Sequence, residues 1–135
     1  MNRREARETV FTLLYERNFH ESETPELQFG QALELRELPE DAYMRDVYLG
    51  VIANMDALDA KIVGCSSGWS IARMSKITRT ILRLSTYEML HRSDIPYNIS
   101  INEAVELAKK YEDEKAPGFI NGILNAIATK EGLKN

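Results

Sequence analysis

Residues 41–62 read DAYMRDVYLGVIANMDALDAKI, and their spacing decides the fold class. Met44, Tyr48, Val51, Met55, Leu58 and Ile62 recur at intervals of three and four, the period of one helical face. The stretch predicts one long helix from about Asp41 to Ile62, stopped at Gly64. Toward the N-terminus, Ala6, Val10, Leu13 and Leu14 define a helix over about residues 3–18. Thr24-Pro25 opens a short helix with Leu27, Ala32 and Leu33 as its apolar residues. Toward the C-terminus, Ser66-Ser67-Gly68-Trp69 reads as a loop. A helix follows from about Lys76 to His91, with Ile77, Ile81 and Leu84 inward, and residues 93–97 connect it to the next. Ser100 and Glu103 have the spacing of a capping box that opens a helix with Ile101, Ala104, Val105, Ala108 and Tyr111 on its face. Pro117 opens the last helix, which turns Ile120, Ile123, Leu124 and Ile127 inward. Gly122 and Ala126 lie beside that stripe and would admit a neighbouring helix closely. No stretch alternates apolar and polar residues as strands do. The expectation is an all-α bundle of about seven helices.

A chain of 135 residues suits one domain spanning residues 1–135. It contains no apolar run long enough to cross a membrane, and Met1-Asn2-Arg3-Arg4-Glu5 is not the opening of a secretory signal, so a cytoplasmic location is expected. One cysteine, Cys65, excludes an internal disulfide, and with only His20 and His91 it excludes a zinc finger. No Gly-rich phosphate loop and no His/carboxylate spacing is present, so neither enzyme activity nor a metal or cofactor is expected. The net charge of −4 conceals basic islands. Residues 21–72 carry three basic and ten acidic side chains, whereas residues 73–92 carry five basic and one acidic. An acidic body with local basic islands suits focal phosphate contact better than general coating of a polyanion.

Three places could supply that contact. On the first helix, Arg4, Arg7, Phe11 and Tyr15 fall within about 80° of one another, away from Glu5, Glu8 and Glu16. Guanidiniums beside rings are what a single-stranded nucleic acid requires, for phosphate and for base stacking. The same pattern fits rings at the edge of the core with solvated arginines. On the 76–91 helix, Lys76, Arg79, Arg83 and Tyr87 share a stripe, and Lys76 and Arg79 read either as solvated or as phosphate contacts. Glu88 lies in line with the apolar residues, so it should be paired if buried, with Arg83 or Arg92 as partners. Phe119 precedes the last apolar stripe and is either half exposed near a helix N-terminus or a rim residue over the core. Trp69 reads as an anchor for its loop, and Glu112-Asp113-Glu114 as a solvated acidic run.

Longer strings carry a resemblance. IPYNISINEAVELAKKY (95–111), GFINGILN (118–125) and ILRLSTYEML (81–90) resemble the C-terminal half of the NusB family of bacterial transcription antitermination factors. RREARE (3–8) and LLYE (13–16) are similar to that family's arginine-rich opening helix. The resemblance implies two helical sub-bundles packed roughly perpendicular. It also implies binding to the boxA element of nascent ribosomal RNA leader transcripts, as single-stranded RNA, together with the small-subunit ribosomal protein NusE. RNA polymerase would be engaged indirectly, through the antitermination complex, and no membrane partner is implied. Carried over residue by residue, the implied RNA contacts are Arg3, Arg4, Arg7, Tyr15 and Phe119, with Lys76 and Arg79 as neighbours. Glu5 interrupts the arginine cluster, and in the loop before Phe119 Lys115 would favour RNA while residues 112–114 would oppose it. The alternatives are a helical protein–protein adaptor with little intrinsic RNA binding, docking through its acidic middle segment, and a homodimer in place of a monomer.

Overall fold

A computed structural model of the chain describes residues 1–20 and 23–134. Seven α-helices and one short 3-10 turn account for the described secondary structure: α1 (Arg3–Arg17), α2 (Pro25–Leu35), α3 (Ala42–Ala53), α4 (Met55–Gly64), the turn Ile71–Arg73, α5 (Lys76–His91), α6 (Tyr97–Tyr111) and α7 (Ala116–Lys130). They divide into two compact units, Met1–Asn54 and the residues from Met55 onward.

The division falls inside the stretch expected to be one helix. The apolar stripe does continue, but the backbone leaves helical geometry at Asn54, with φ −111° and ψ 18°. The Asn54 amide and its side-chain Nδ2 both donate to the Gly50 carbonyl, at 3.0 and 2.8 Å. A short polar side chain that bonds its own backbone competes with helix propagation, so one period supports two helices.

In the first unit, α1 and α2 each pack against α3. A capping box starts α1: the Asn2 carboxamide accepts from the Glu5 amide at 2.8 Å, and the Glu5 carboxylate accepts from the Asn2 amide at 3.2 Å. Glu5, which interrupts the arginine cluster in sequence, therefore serves the helix end. Thr24 caps α2, as Thr24-Pro25 predicts, and Leu33 is buried as expected, but it is joined by Phe29, stacked on Tyr48 with centroids 5.3 Å apart. Leu27, expected to face inward, is exposed. Burial of the Tyr48 phenol raises its pKa, against the lowering effect of nearby Arg17.

The second unit is built on α5, which packs against α4, α6 and α7, while α6 and α7 form a helical hairpin. Ile81, Leu82, Leu84, Ile120, Leu124 and Ile127 fill its core. Bidentate pairing of Arg83 with Asp59, at 2.7 and 2.8 Å, ties α5 to α4. Arg83 is thus committed to Asp59 and not to Glu88. Glu88 is fully buried and accepts a hydrogen bond from Ser100 Oγ at 2.8 Å, while Ser85 Oγ donates to the Ser100 carbonyl at 3.0 Å. Ser100 consequently does not cap α6. That helix begins three residues earlier, after Pro96, and the Ser100 amide already donates to the Pro96 carbonyl. Of its expected face, Val105 is half-buried and Tyr111 exposed, with Leu107 inward instead. Gly122 and Ala126 are also exposed, and among the described residues a Cβ built on Gly122 meets nothing within 4 Å, in place of the close helix contact expected there.

Candidate nucleic-acid interface

In the first unit, α1 presents Arg3 and Arg4 to solvent. The Arg3 guanidinium lies 4.4 Å from the centroid of the Tyr43 ring on α3, and that of Arg7 lies 5.7 Å from the same centroid. Arg7 is only 3% exposed, so the residue expected as an RNA contact is packed beneath the surface that Arg3 and Arg4 form. Phe11 is likewise 3% exposed and belongs to the core. Its ring stacks toward Tyr15 at 6.4 Å, and Tyr15 meets Phe19 edge-on at 5.4 Å. This ladder, built on a spacing of four, runs from buried Phe11 through half-buried Tyr15 to Phe19, which is 56% exposed. The sequence-derived stripe therefore divides: Arg4 is accessible, Arg7 and Phe11 are buried, and Tyr15 lies between.

The second unit gathers its surface rings differently. Ser66, which is buried, accepts the Trp69 amide at 3.2 Å and donates its hydroxyl to the Trp69 carbonyl at 2.6 Å. Ser67 and Gly68 adopt φ of 52° and 90°, and the reversal at this left-handed pair turns Trp69 outward. Trp69 is 40% exposed, and its ring meets half-buried Phe119 at 5.6 Å with an interplanar angle of 68°. The Arg73 guanidinium stands 4.6 Å over the Trp69 ring. Trp69, read from the sequence as a loop anchor, is held in its loop by Ser66 and also meets Phe119 and Arg73, contacts that the sequence reading did not foresee. Beside these rings opens a cleft of about 360 Å³, lined also by residues of the α5 start and the α6–α7 connection, including Ser75, Thr78, Glu112, Asp113 and Lys115.

The acidic residues of that connection are not simply solvated. Glu112 accepts from the hydroxyls of Ser75 and Thr78, the latter at 3.3 Å, and so braces the first turn of α5. Asp113 Oδ1 accepts the amides of Lys115 and Ala116 at 2.9 and 3.1 Å, and so holds the turn that leads into α7. Lys76 is exposed on the first turn of α5. Arg79, half-buried, donates from Nη2 to the Met74 carbonyl at 2.9 Å and secures the entry to that helix. Neither Lys76 nor Arg79 lines the cleft. A second cleft of about 530 Å³, bordered by Met89–Ser93, Ile95–Asn98 and Leu133, contains none of the expected contacts.

Among the described residues, no group of three or more His, Cys, Asp or Glu side chains is placed to hold a metal ion, and no helix is long and apolar enough to cross a membrane. These features define a class: an all-helical protein whose units each set a guanidinium against a ring, Arg3 against buried Tyr43 and Arg73 over exposed Trp69. The family model described as the NusB family matches residues 4–129. The transcription antitermination protein NusB of Acetivibrio thermocellus is 43% identical over 129 residues, covering 94% of this chain and 88% of that protein. The solved structure of T. maritima NusB aligns with a TM-score of 0.87 at 35% identity, covering 96% of this chain and 92% of that one. A crystal structure of the antitermination factors NusB and NusE in complex with dsRNA aligns with a TM-score of 0.83 at 28% identity, covering 95% and 96%. The chain belongs to the NusB family.

Proposed function

We propose that this protein is a transcription antitermination factor. It binds the boxA element of ribosomal RNA leader transcripts together with the ribosomal protein NusE, as a non-catalytic adaptor in the cytoplasm. The observation that carries this reading is the exposed Arg73 guanidinium over the exposed Trp69 ring beside Phe119, together with Arg3 and Arg4 exposed on α1. Such a surface answers both chemistries of an unpaired strand: cations take the phosphates and rings stack the bases. Arg3, Arg4 and Lys76 serve the phosphates, while Tyr15 and Phe119 offer ring surface. Arg7 and Arg79 act from behind, Arg7 by packing near the Tyr43 ring and Arg79 by holding the Met74 carbonyl. The related complex contains dsRNA; the reading here is for a single strand, because a paired base cannot splay onto Phe119. Residues 1–135 act as one domain in this reading, since the family match at residues 4–129 runs across the Asn54–Met55 boundary.

With few cations in each unit, binding to RNA alone is weak and salt-sensitive, and the protein partner strengthens it. The test is a fluorescence titration of labelled boxA RNA at two salt concentrations, with and without NusE, beside a scrambled RNA. Selective binding that tightens with NusE is expected. Equal affinity for boxA and scrambled RNA under all conditions overturns the reading and favours the protein–protein adaptor, for which the acidic residues 21–72 speak.

A further inference from the structure

The cleft beside Trp69 and Phe119 contains both signs of charge, and their arrangement is specific. Arg73 and Lys115 supply two cations, and Glu112 and Asp113 supply two carboxylates, so the lining has no net charge with which to hold a phosphate in preference to a base. The rings meet at 68°, which forms a corner: a flat ligand stacked on one ring meets the edge of the other. Arg73 stands over the Trp69 ring, and Phe119 meets the same ring at a steep angle. The two carboxylates are not equally occupied. Glu112 Oε1 takes the Ser75 and Thr78 hydroxyls and its Oε2 the Asp113 amide, while Asp113 Oδ1 takes the Lys115 amide and the first amide of α7. Asp113 Oδ2 accepts no hydrogen bond from the described residues.

We propose that this cleft receives one unstacked guanine of the bound RNA and that Asp113 is the residue that selects it. The inference rests on the RNA-binding reading above and deepens it. An open carboxylate oxygen accepts hydrogen bonds and repels carbonyl groups. Guanine offers adjacent N1–H and N2–H donors on its Watson–Crick edge. Uracil has one N–H between two carbonyls there, and cytosine and adenine set their amino donors next to a bare ring nitrogen. The corner of rings provides stacking to any base, and the carboxylate then discriminates among them.

The chain has a single tryptophan, so its fluorescence reports on this cleft alone. The probes are three RNA hexamers, UUGUUU, UUUUUU and UUIUUU, where I is inosine, which lacks the N2 amino group. The G-containing hexamer should quench Trp69 and bind about tenfold tighter than the all-U hexamer, and inosine should forfeit most of that gain. Asp113→Asn retains an oxygen for the Lys115 and Ala116 amides and should reduce the G preference to less than about threefold while leaving all-U binding in place. Equal affinities for the three hexamers, no binding of any of them, or a G preference unaltered by Asp113→Asn overturns the proposal. Titration of boxA RNA with NusE in the same buffer separates the two readings. If boxA still binds selectively, only the guanine proposal falls; if it does not, the RNA-binding reading falls with it.

Discussion

Met1–Asn54 and the residues from Met55 onward both join rings to cations, but they place the rings oppositely. In the first, ring positions spaced by four on α1 run from the core outward, so Phe11 is structural and only the end of the ladder reaches solvent. In the second, the accessible rings come from a loop and from the first turn of a helix, off any repeating face, and they frame a cleft. The polar interior differs as well: the second unit buries a carboxylate between two helices, where the first buries an arginine beside a tyrosine ring. An aromatic residue that obeys the helical period is thus recruited to packing, and one that escapes the period is available to a ligand.

The contrast can be tested position by position. Phe11→Ala should lower stability by about 3–4 kcal/mol in urea unfolding, as for a core aromatic; a loss confined to RNA affinity would break the comparison. Glu88→Ala should cost about 3 kcal/mol, because the buried Ser100 hydroxyl loses its acceptor; stability within 0.5 kcal/mol of wild type, as an order-of-magnitude bound, would deny the buried carboxylate its role. Phe119→Ala should weaken boxA binding by about 1–3 kcal/mol while thermal unfolding changes little, and Tyr15→Ala should fall toward the lower end of that range because its ring is part of a ladder. Arg4→Ala and Lys76→Ala should have the smallest effect, each reducing the slope of log affinity against log salt by about 0.7 if it meets one phosphate. Arg7→Ala would sharpen the distinction by reducing stability more than it reduces the salt slope.

Much of this architecture was legible in the sequence where a cap and a stripe coincide. The limits of α1 and α5 follow from apolar spacing, and Thr24 marks the start of α2. The break at Asn54 was hidden because the apolar stripe passes through it unchanged, while the competing hydrogen bonds to Gly50 leave no trace in hydropathy. Phe29 was missed because an eleven-residue helix that buries two residues gives too short a period to read. Ser100 has the spacing of a cap, but Glu88 claims its hydroxyl from another helix. For the candidate site, the exposed cations were readable from charge patterning and the Phe119 position from its place ahead of the stripe. The pairing of Trp69 with Phe119 was not, since fifty positions separate them and neither lies on a shared face. An aromatic residue in a polar loop with an arginine four residues on is the one local signal that could have suggested it.

The box that Asn2 and Glu5 close at the start of α1 has a consequence for how a strand is met there. Arg3 and Arg4 are the first two residues of the helix, positions that fray readily when no side chain holds them. With both reciprocal bonds made, their Cα positions are fixed before any ligand arrives, so association has only the side-chain rotors left to order. Each backbone residue spared that ordering avoids about 1–2 kcal/mol of entropic cost. Glu5, by charge alone an opponent of RNA, thereby becomes a source of preorganisation for the two cations beside it.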